Sequence, residues 1–225
     1  MANIINFYEK IPKKDLLQQI NPHFNVHHIK LPFRMLVIGS SGSGKTNFAI
    51  NLIKMMSGTF NSLTIITRNA DEALYNMLKK KLKNDVQICE GLSNIPNLDD
   101  FDKKDQHLVI FDDLINVKNQ NIIQEYYLRC RKLNISVMYL SQSYFKIPML
   151  IRQNANYIII IKVSSTKDLT RMLREYDCGV TKEMMIELYK HATKKKFGFL
   201  MLDCDAEPEN KFYIDFKHVN VQTDV

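Results

Sequence analysis

Residues 39–46 read Gly39-Ser40-Ser41-Gly42-Ser43-Gly44-Lys45-Thr46, a complete G-x-x-x-x-G-K-[ST] loop. Glycines let the backbone approach a polyphosphate closely, and successive N–H groups turn toward its oxygens. Lys45 can reach the β- and γ-phosphates, and the Thr46 hydroxyl can serve as a ligand to Mg²⁺. Asn47 opens the helix that follows and completes the expected nucleotide-binding set. Downstream, Leu108-Val109-Ile110-Phe111 runs apolar into Asp112-Asp113, the Walker B pattern. Asp112 is assigned to Mg²⁺, through a bridging water. Asp113 is assigned as the base that polarises the attacking water, against the plainer reading that it caps a turn. Gln142 ends another apolar run, where its amide could contact a terminal phosphate or the attacking water; a solvent-facing loop glutamine is the alternative.

These groups need rigid elements to hold them. Phe33 to Ile38 reads as the strand entering the loop and Asn47 to Lys54 as the helix leaving it, so the positive end of a helix dipole faces the phosphates. Further strands are expected at Leu63–Thr67, Leu108–Phe111, Ile135–Leu140 and Tyr157–Val163, with late strands at Phe197–Leu202 and Phe212–Phe216. Helices are expected at Asp71–Lys83, Ile122–Lys132, Thr166–Tyr176 and Thr181–His191. Near-continuous apolar strands alternating with amphipathic helices give an α/β domain, its mostly parallel sheet covered on both faces. Residues 1–30 show weak periodicity and read as an extension packing on the core. Residues 31–225 read as one domain.

The chain has 225 residues, 45% of them hydrophobic, enough for one sizeable core. A net charge of +7 fits a polyanionic partner as well as it fits a solvated basic surface. Cys89, Cys130, Cys178 and Cys204 are far apart, which argues against a zinc site and against a disulfide framework. The longest apolar run, Tyr157 to Ile161, is too short to span a membrane, and the N-terminus lacks the apolar core of a signal peptide. A soluble intracellular protein is expected. His27-His28 has no third ligand at metal spacing and reads as structural. Lys79-Lys80-Lys81 with Lys83, and Lys194-Lys195-Lys196, could contact a polyanion but read more simply as solvated helix ends. No guanine-recognition box and no Leu-Ser-Gly-Gly-Gln signature follow the loop, which disfavours a small GTPase and a transport cassette.

The stretch Asn134-Ile135-Ser136-Val137-Met138-Tyr139-Leu140-Ser141-Gln142-Ser143-Tyr144-Phe145-Lys146-Ile147-Pro148, followed by Ile151-Arg152-Gln153-Asn154-Ala155-Asn156, resembles the genome-packaging ATPases of large DNA viruses, the poxvirus type, within the HerA/FtsK superfamily. The likeness covers residues 30 to about 163, and this third motif is its specific part. The resemblance implies an additional-strand P-loop fold in which one strand separates the Walker B strand from the loop strand. It implies ATP as the nucleotide, with Mg²⁺, and a motor that pumps double-stranded DNA into a preformed capsid. It also implies a homo-oligomeric ring, expected as a hexamer, docked on portal or vertex proteins in the host-cell cytoplasm, a viral factory or the virion. Many superfamily members carry Glu where this chain has Asp113. A ring also implies a trans-acting cation, for which Arg129, Arg131 and Arg152 are the candidates. Two other readings stay open: a soluble phosphoryl-transfer kinase, and a nucleotide-gated DNA-binding protein with little turnover.

Overall fold

The structure, a computed structural model, describes residues 5–12, 17–176 and 180–221. Its elements run α1 (Phe24–His27), β1 (Arg34–Ile38), α2 (Lys45–Met55), β2 (Ser62–Thr67), α3 (Ala73–Leu82), β3 (Val86–Glu90), β4 (His107–Asp112) and α4 (Asn121–Arg129). They continue with β5 (Ile135–Ser141), α5 (Met149–Asn154), β6 (Tyr157–Ile160), α6 (Thr166–Arg174), α7 (Lys182–Ala192), β7 (Leu200–Asp203), β8 (Phe212–Ile214) and β9 (Lys217–His218). One sheet takes the order β3-β2-β4-β5-β1-β6-β7-β8-β9. The first six strands in that order are parallel, and β7, β8 and β9 extend the sheet antiparallel. β5 therefore lies between the Walker B strand β4 and the loop strand β1, as the resemblance implies.

Each strand sends alternate side chains to opposite faces. Met35 and Val37 join a core with Phe48, Ala49 and Leu52 of α2 and Tyr75 and Leu78 of α3. Leu36 and Ile38 point the other way, into a core with Ile123, Tyr126 and Tyr127 of α4, Leu169 of α6 and Met185 of α7. The spacing 45, 48, 49, 52 puts the buried residues of α2 on one stripe. Tyr127 is wholly buried and donates its hydroxyl to the Met35 carbonyl at 2.6 Å, tying α4 to the loop strand. Ser165 and Thr181 accept N–H bonds at the starts of α6 and α7, which fixes where those helices begin.

Several boundaries differ from expectation. β6 ends at Ile160 rather than Val163, and β7 begins at Leu200 rather than Phe197, because Gly198 and a left-handed Phe197 turn the chain before pairing starts. The helix expected at 122–132 tightens to 3₁₀ geometry over Cys130–Leu133. Four of these elements were not foreseen: the short α1 and β9, together with β3 and α5. β3 is an edge strand with a single buried residue, Cys89, so it lacks a continuous apolar run. α5 spans only six residues after Pro148. The N-terminal stretch engages the core through Gln106, whose amide donates to the Ile20 and Thr59 carbonyls at 2.9 and 2.7 Å. His27 is buried; its Nδ1 accepts from the Ile29 N–H at 3.0 Å, and burial, then His28 and His23, lower its pKa to about 4. It is a neutral turn-former. Cys89 and Cys130 are buried free thiols, Cys204 is half-buried, and Cys178 lies outside the described residues. No helix among the described residues is long and apolar enough to cross a membrane.

Candidate nucleotide site

Parallel register brings the carboxyl ends of the central strands into one row. Thr67 pairs with Asp112, Asp112 with Leu140, and Ile38 with both Ser141 and Ile160. Whatever follows those residues must project from the same edge, where parallel α/β sheets bind ligands. The phosphate loop, Asp113, Gln142 and Arg68 all do.

The loop turns on Gly42 and Gly44, at φ 70° and 103°. Gly39 N–H donates to the Ser141 carbonyl at 3.2 Å and Ser40 N–H to the Lys162 carbonyl at 2.9 Å, so the two flanking strands fasten its entry. A methyl group on Gly39 would collide with Ser43 Oγ. Lys45 is only 8% exposed, and its Nζ donates to the Gly39 and Ser40 carbonyls at 2.9 and 3.0 Å. Burial lowers its pKa, against the raising effect of Asp112 and Asp113. The ammonium thus sits within its own loop among partners that a phosphate can replace. Ser43 Oγ is buried with no hydrogen-bond partner, and the first-turn N–H groups of α2 have no intrahelical acceptor. These free donors suit an anion at this position.

Asp112 is 6% exposed. Its Oδ2 accepts a short hydrogen bond from the Tyr75 hydroxyl and a longer one, 3.4 Å, from Thr46 Oγ1. Burial raises its pKa above the ordinary 3.8; Tyr75 and Lys45 oppose this by favouring the carboxylate. Burial, then the nearby Asp112 charge, also pushes Tyr75 well above the usual phenol range and raises Glu72. A hydroxyl and a carboxylate oxygen thus stand 3.4 Å apart beside the loop, a hard-oxygen pair whose chemistry would suit Mg²⁺. Among the described residues no three His, Cys, Asp or Glu side chains cluster as a self-sufficient metal cage.

Asp113 takes the left-handed conformation, φ 53°, with its N–H on the Leu140 carbonyl at 3.2 Å. That turn swings its carboxylate away from Asp112's buried position. Gln142 Nε2 donates to Asp113 Oδ1 at 3.1 Å, and an Arg68 guanidinium nitrogen lies 4.0 Å from Oδ2. The carboxylate is gripped from both sides and faces solvent above the loop. Gln142 thus addresses the acid directly. Arg68 and Tyr75 were missed by the sequence reading. Arg68 follows the β2 strand end as Asp113 follows that of β4, which register reveals and spacing does not. A cavity of 240 Å³ adjoins the loop between Ser40, Gln142, Ser143, Ser164 and Asp168. A larger apolar one, 360 Å³, lies by Ile53, Met56 and Met77, toward the far end of α2, away from this chemistry.

The three arginine candidates lie elsewhere. Arg129 ends α4 and Arg131 lies in the turn before β5, so both are at the opposite end of the sheet, about 20 Å along β5 from the loop. Arg129 pairs with Asp99 at 2.7 Å on the surface. Arg152 on α5 is held by a close ion pair with Glu175 and lies over the Tyr144 and Phe145 rings at 4.9 and 5.5 Å. Of the lysine clusters, 79–81 form the last turn of α3, while Lys195 pairs with Asp215 at 2.5 Å.

Strand order and site together define a P-loop nucleotide-binding fold of the additional-strand type. The chain belongs to the Poxvirus A32 protein family, whose profile matches residues 22–204. It is 30% identical over 167 residues to the DNA packaging protein OPG160 of Vaccinia virus (strain Copenhagen), covering 65% of this chain and 58% of that one. The Monkeypox virus OPG160 protein is 28% identical over 167 residues, covering 65% and 53%. The chain thus spans a little over half the length of the curated relatives it matches. In fold it is similar to the genome packaging NTPase B204 of Sulfolobus turreted icosahedral virus 2, solved with ATP-gammaS, at TM-score 0.58 and 15% identity over 86% of this chain and 100% of that one. The type VII secretion ATPase EccC of Thermomonospora curvata also matches, at TM-score 0.54 and 13% identity over 85% of this chain and 26% of the other.

Proposed function

We propose that this chain is the ATP-hydrolysing motor of a viral DNA-packaging machine. The observation that carries the reading is Asp113, presented at the tip of β4 and oriented by Gln142 from the neighbouring tip, one strand from the phosphate loop. Residues 31–225 act as one ATPase domain, which the preceding segment meets at Ile20 and Lys30.

Loop N–H groups and Lys45 bind and orient the triphosphate, with Lys45 exchanging its loop carbonyls for phosphate oxygens. Thr46 directly and Asp112 through water would hold Mg²⁺, which would supply charge neutralisation at the phosphates. Asp113 accepts a proton from water as its oxygen attacks the γ-phosphorus; the bridging P–O bond breaks, and ADP and phosphate result. Gln142 keeps the Asp113 carboxylate aimed, which compensates for a side chain shorter than Glu. A neighbouring subunit of a hexameric ring supplies the trans cation. Arg129, Arg131 and Arg152 are the candidates for it: Arg129 is exposed and pairs with Asp99 on the surface, Arg131 is exposed, and Arg152 is engaged with Glu175. Double-stranded DNA is contacted without sequence preference, through basic side chains and phosphates, and the ring docks on capsid portal or vertex proteins in the cytoplasm or viral factory.

The test is phosphate release with and without duplex DNA. DNA should stimulate hydrolysis by the wild type. Asp113→Asn should keep ATP binding and lose about 10²- to 10⁴-fold in rate. A flat response to DNA, together with transfer to a small-molecule acceptor, would replace the motor with a kinase.

A further inference from the structure

Beside the phosphate loop stands an aromatic side chain that hydrolysis leaves unused. Phe197 follows the Lys194–Lys196 run, in the turn between α7 and β7. Its ring lies directly on the loop: a methyl group built on Gly44 would come within 2.5 Å of it. The residue is 46% exposed, although Phe48 of α2 packs with Phe199, two positions along from Phe197, and with Phe216 in an aromatic cluster. Its backbone φ is 65°, a conformation that costs a bulky L-residue energy and that glycine would adopt freely. Lys196 Nζ caps the ring at 5.0 Å from its centroid. Burial has not placed this residue, and backbone preference opposes it. Such outliers concentrate where a ligand is clamped.

The sheet order sets the direction a nucleotide must take. Asp113 and Gln142 mark where the terminal phosphate lies, on the β4 and β5 side of β1. A triphosphate so oriented leaves the loop, ribose and base foremost, on the side of β6 and β7. Phe197 stands on that side, against the last glycine of the loop.

We propose that Phe197 is the stacking platform for the nucleobase of the bound nucleoside triphosphate, with Lys196 steadying the ring. The proposal rests on the nucleotide-binding reading of the loop and adds to it the contact for the base. Every base has a π face, so the platform favours large purines without choosing between them.

The chain contains no tryptophan, so Phe197→Trp installs a single fluorescent reporter. The probes are ATP and inorganic tripolyphosphate, which has no base. Phe197→Ala should weaken ATP binding by about tenfold or more, the usual scale for a lost aromatic stack, and leave tripolyphosphate affinity unchanged. Phe197→Trp should bind ATP like the wild type and change its emission with ATP but not with tripolyphosphate. Phe197→Gly, whose backbone suits φ 65°, should melt no lower than Phe197→Ala yet share its ATP defect. Unchanged ATP affinity in Phe197→Ala overturns the proposal, as does equal loss of both ligands, which would mean that the ring merely shapes the loop. Retained ATP affinity with lost duplex-DNA binding would reassign Phe197 to DNA. Wild-type protein that binds neither probe would instead remove the nucleotide reading itself.

Discussion

Tyr75→Phe removes one oxygen atom from α3 and should change the behaviour of the whole acid site. Tyr75 is 2% exposed and Asp112 6%, so the hydroxyl and the carboxylate meet away from water. A hydrogen bond to a charged group contributes about 1.5–3 kcal/mol. Thr46 remains as a second, longer donor at 3.4 Å, which places the expected loss in the lower part, about 1.5–2 kcal/mol. For a chain of this size that is about 3–8 °C in Tm. The loss should also depend on pH. Asp112 titrates above 3.8 because burial penalises its charge, so its ionisation costs stability as pH rises through its folded pKa. Tyr75 favours the charged form, and without it that pKa rises further. The deficit of the variant should therefore be largest at high pH and shrink as pH falls through the folded pKa of Asp112. Thermal melts of both proteins without nucleotide at pH 8 and pH 4.5 make the comparison. An equal deficit at both pH values would mean that Tyr75 acts by packing alone, and no deficit would mean that the hydroxyl does not engage Asp112.

Asp112→Asn should work in the opposite direction without nucleotide: removing a buried charge while keeping an acceptor for Tyr75 should raise Tm by about 2–4 °C, roughly 1 kcal/mol. The same variant should lose Mg²⁺-dependent ATP binding in calorimetry, and an unchanged affinity would count against Asp112 as the metal residue. Arg152→Met should cost about 1–3 kcal/mol in denaturant melts, since it takes the cation from Glu175, which keeps its hydrogen bond from Tyr144, and from the Tyr144 and Phe145 rings, yet should leave ATP affinity unaltered.

Much of this arrangement was legible in the sequence because it is encoded locally. A loop with its strand and helix flanks, or an apolar run ending in two acids, is written in consecutive residues. β1, β2, β4 and β5 could be read because strands buried on both faces are almost uninterruptedly apolar. β3, with one face open, carries no such run, and α5 is too short to show a period. Tyr75 looked like any polar position on an amphipathic helix, and Arg68 like a loop residue. Their roles come from register: β2 and β4 are paired so that Thr67 meets Asp112, and that alignment lies between segments some forty residues apart. Phe197 was taken for the start of a strand, since its left-handed backbone leaves no compositional trace beyond Gly198.

The last two carbonyls of β5 have a mechanical consequence. Leu140 carries Asp113 and Ser141 carries Gly39, each through one backbone hydrogen bond of 3.2 Å. The Asp113 carboxylate and the glycine-rich loop thus hang from adjacent rungs of one strand, like two arms of a yoke. Asp113 and Gly39 share one support, so a substitution that shifted the tip of β5 would displace both at once and could not move one without the other.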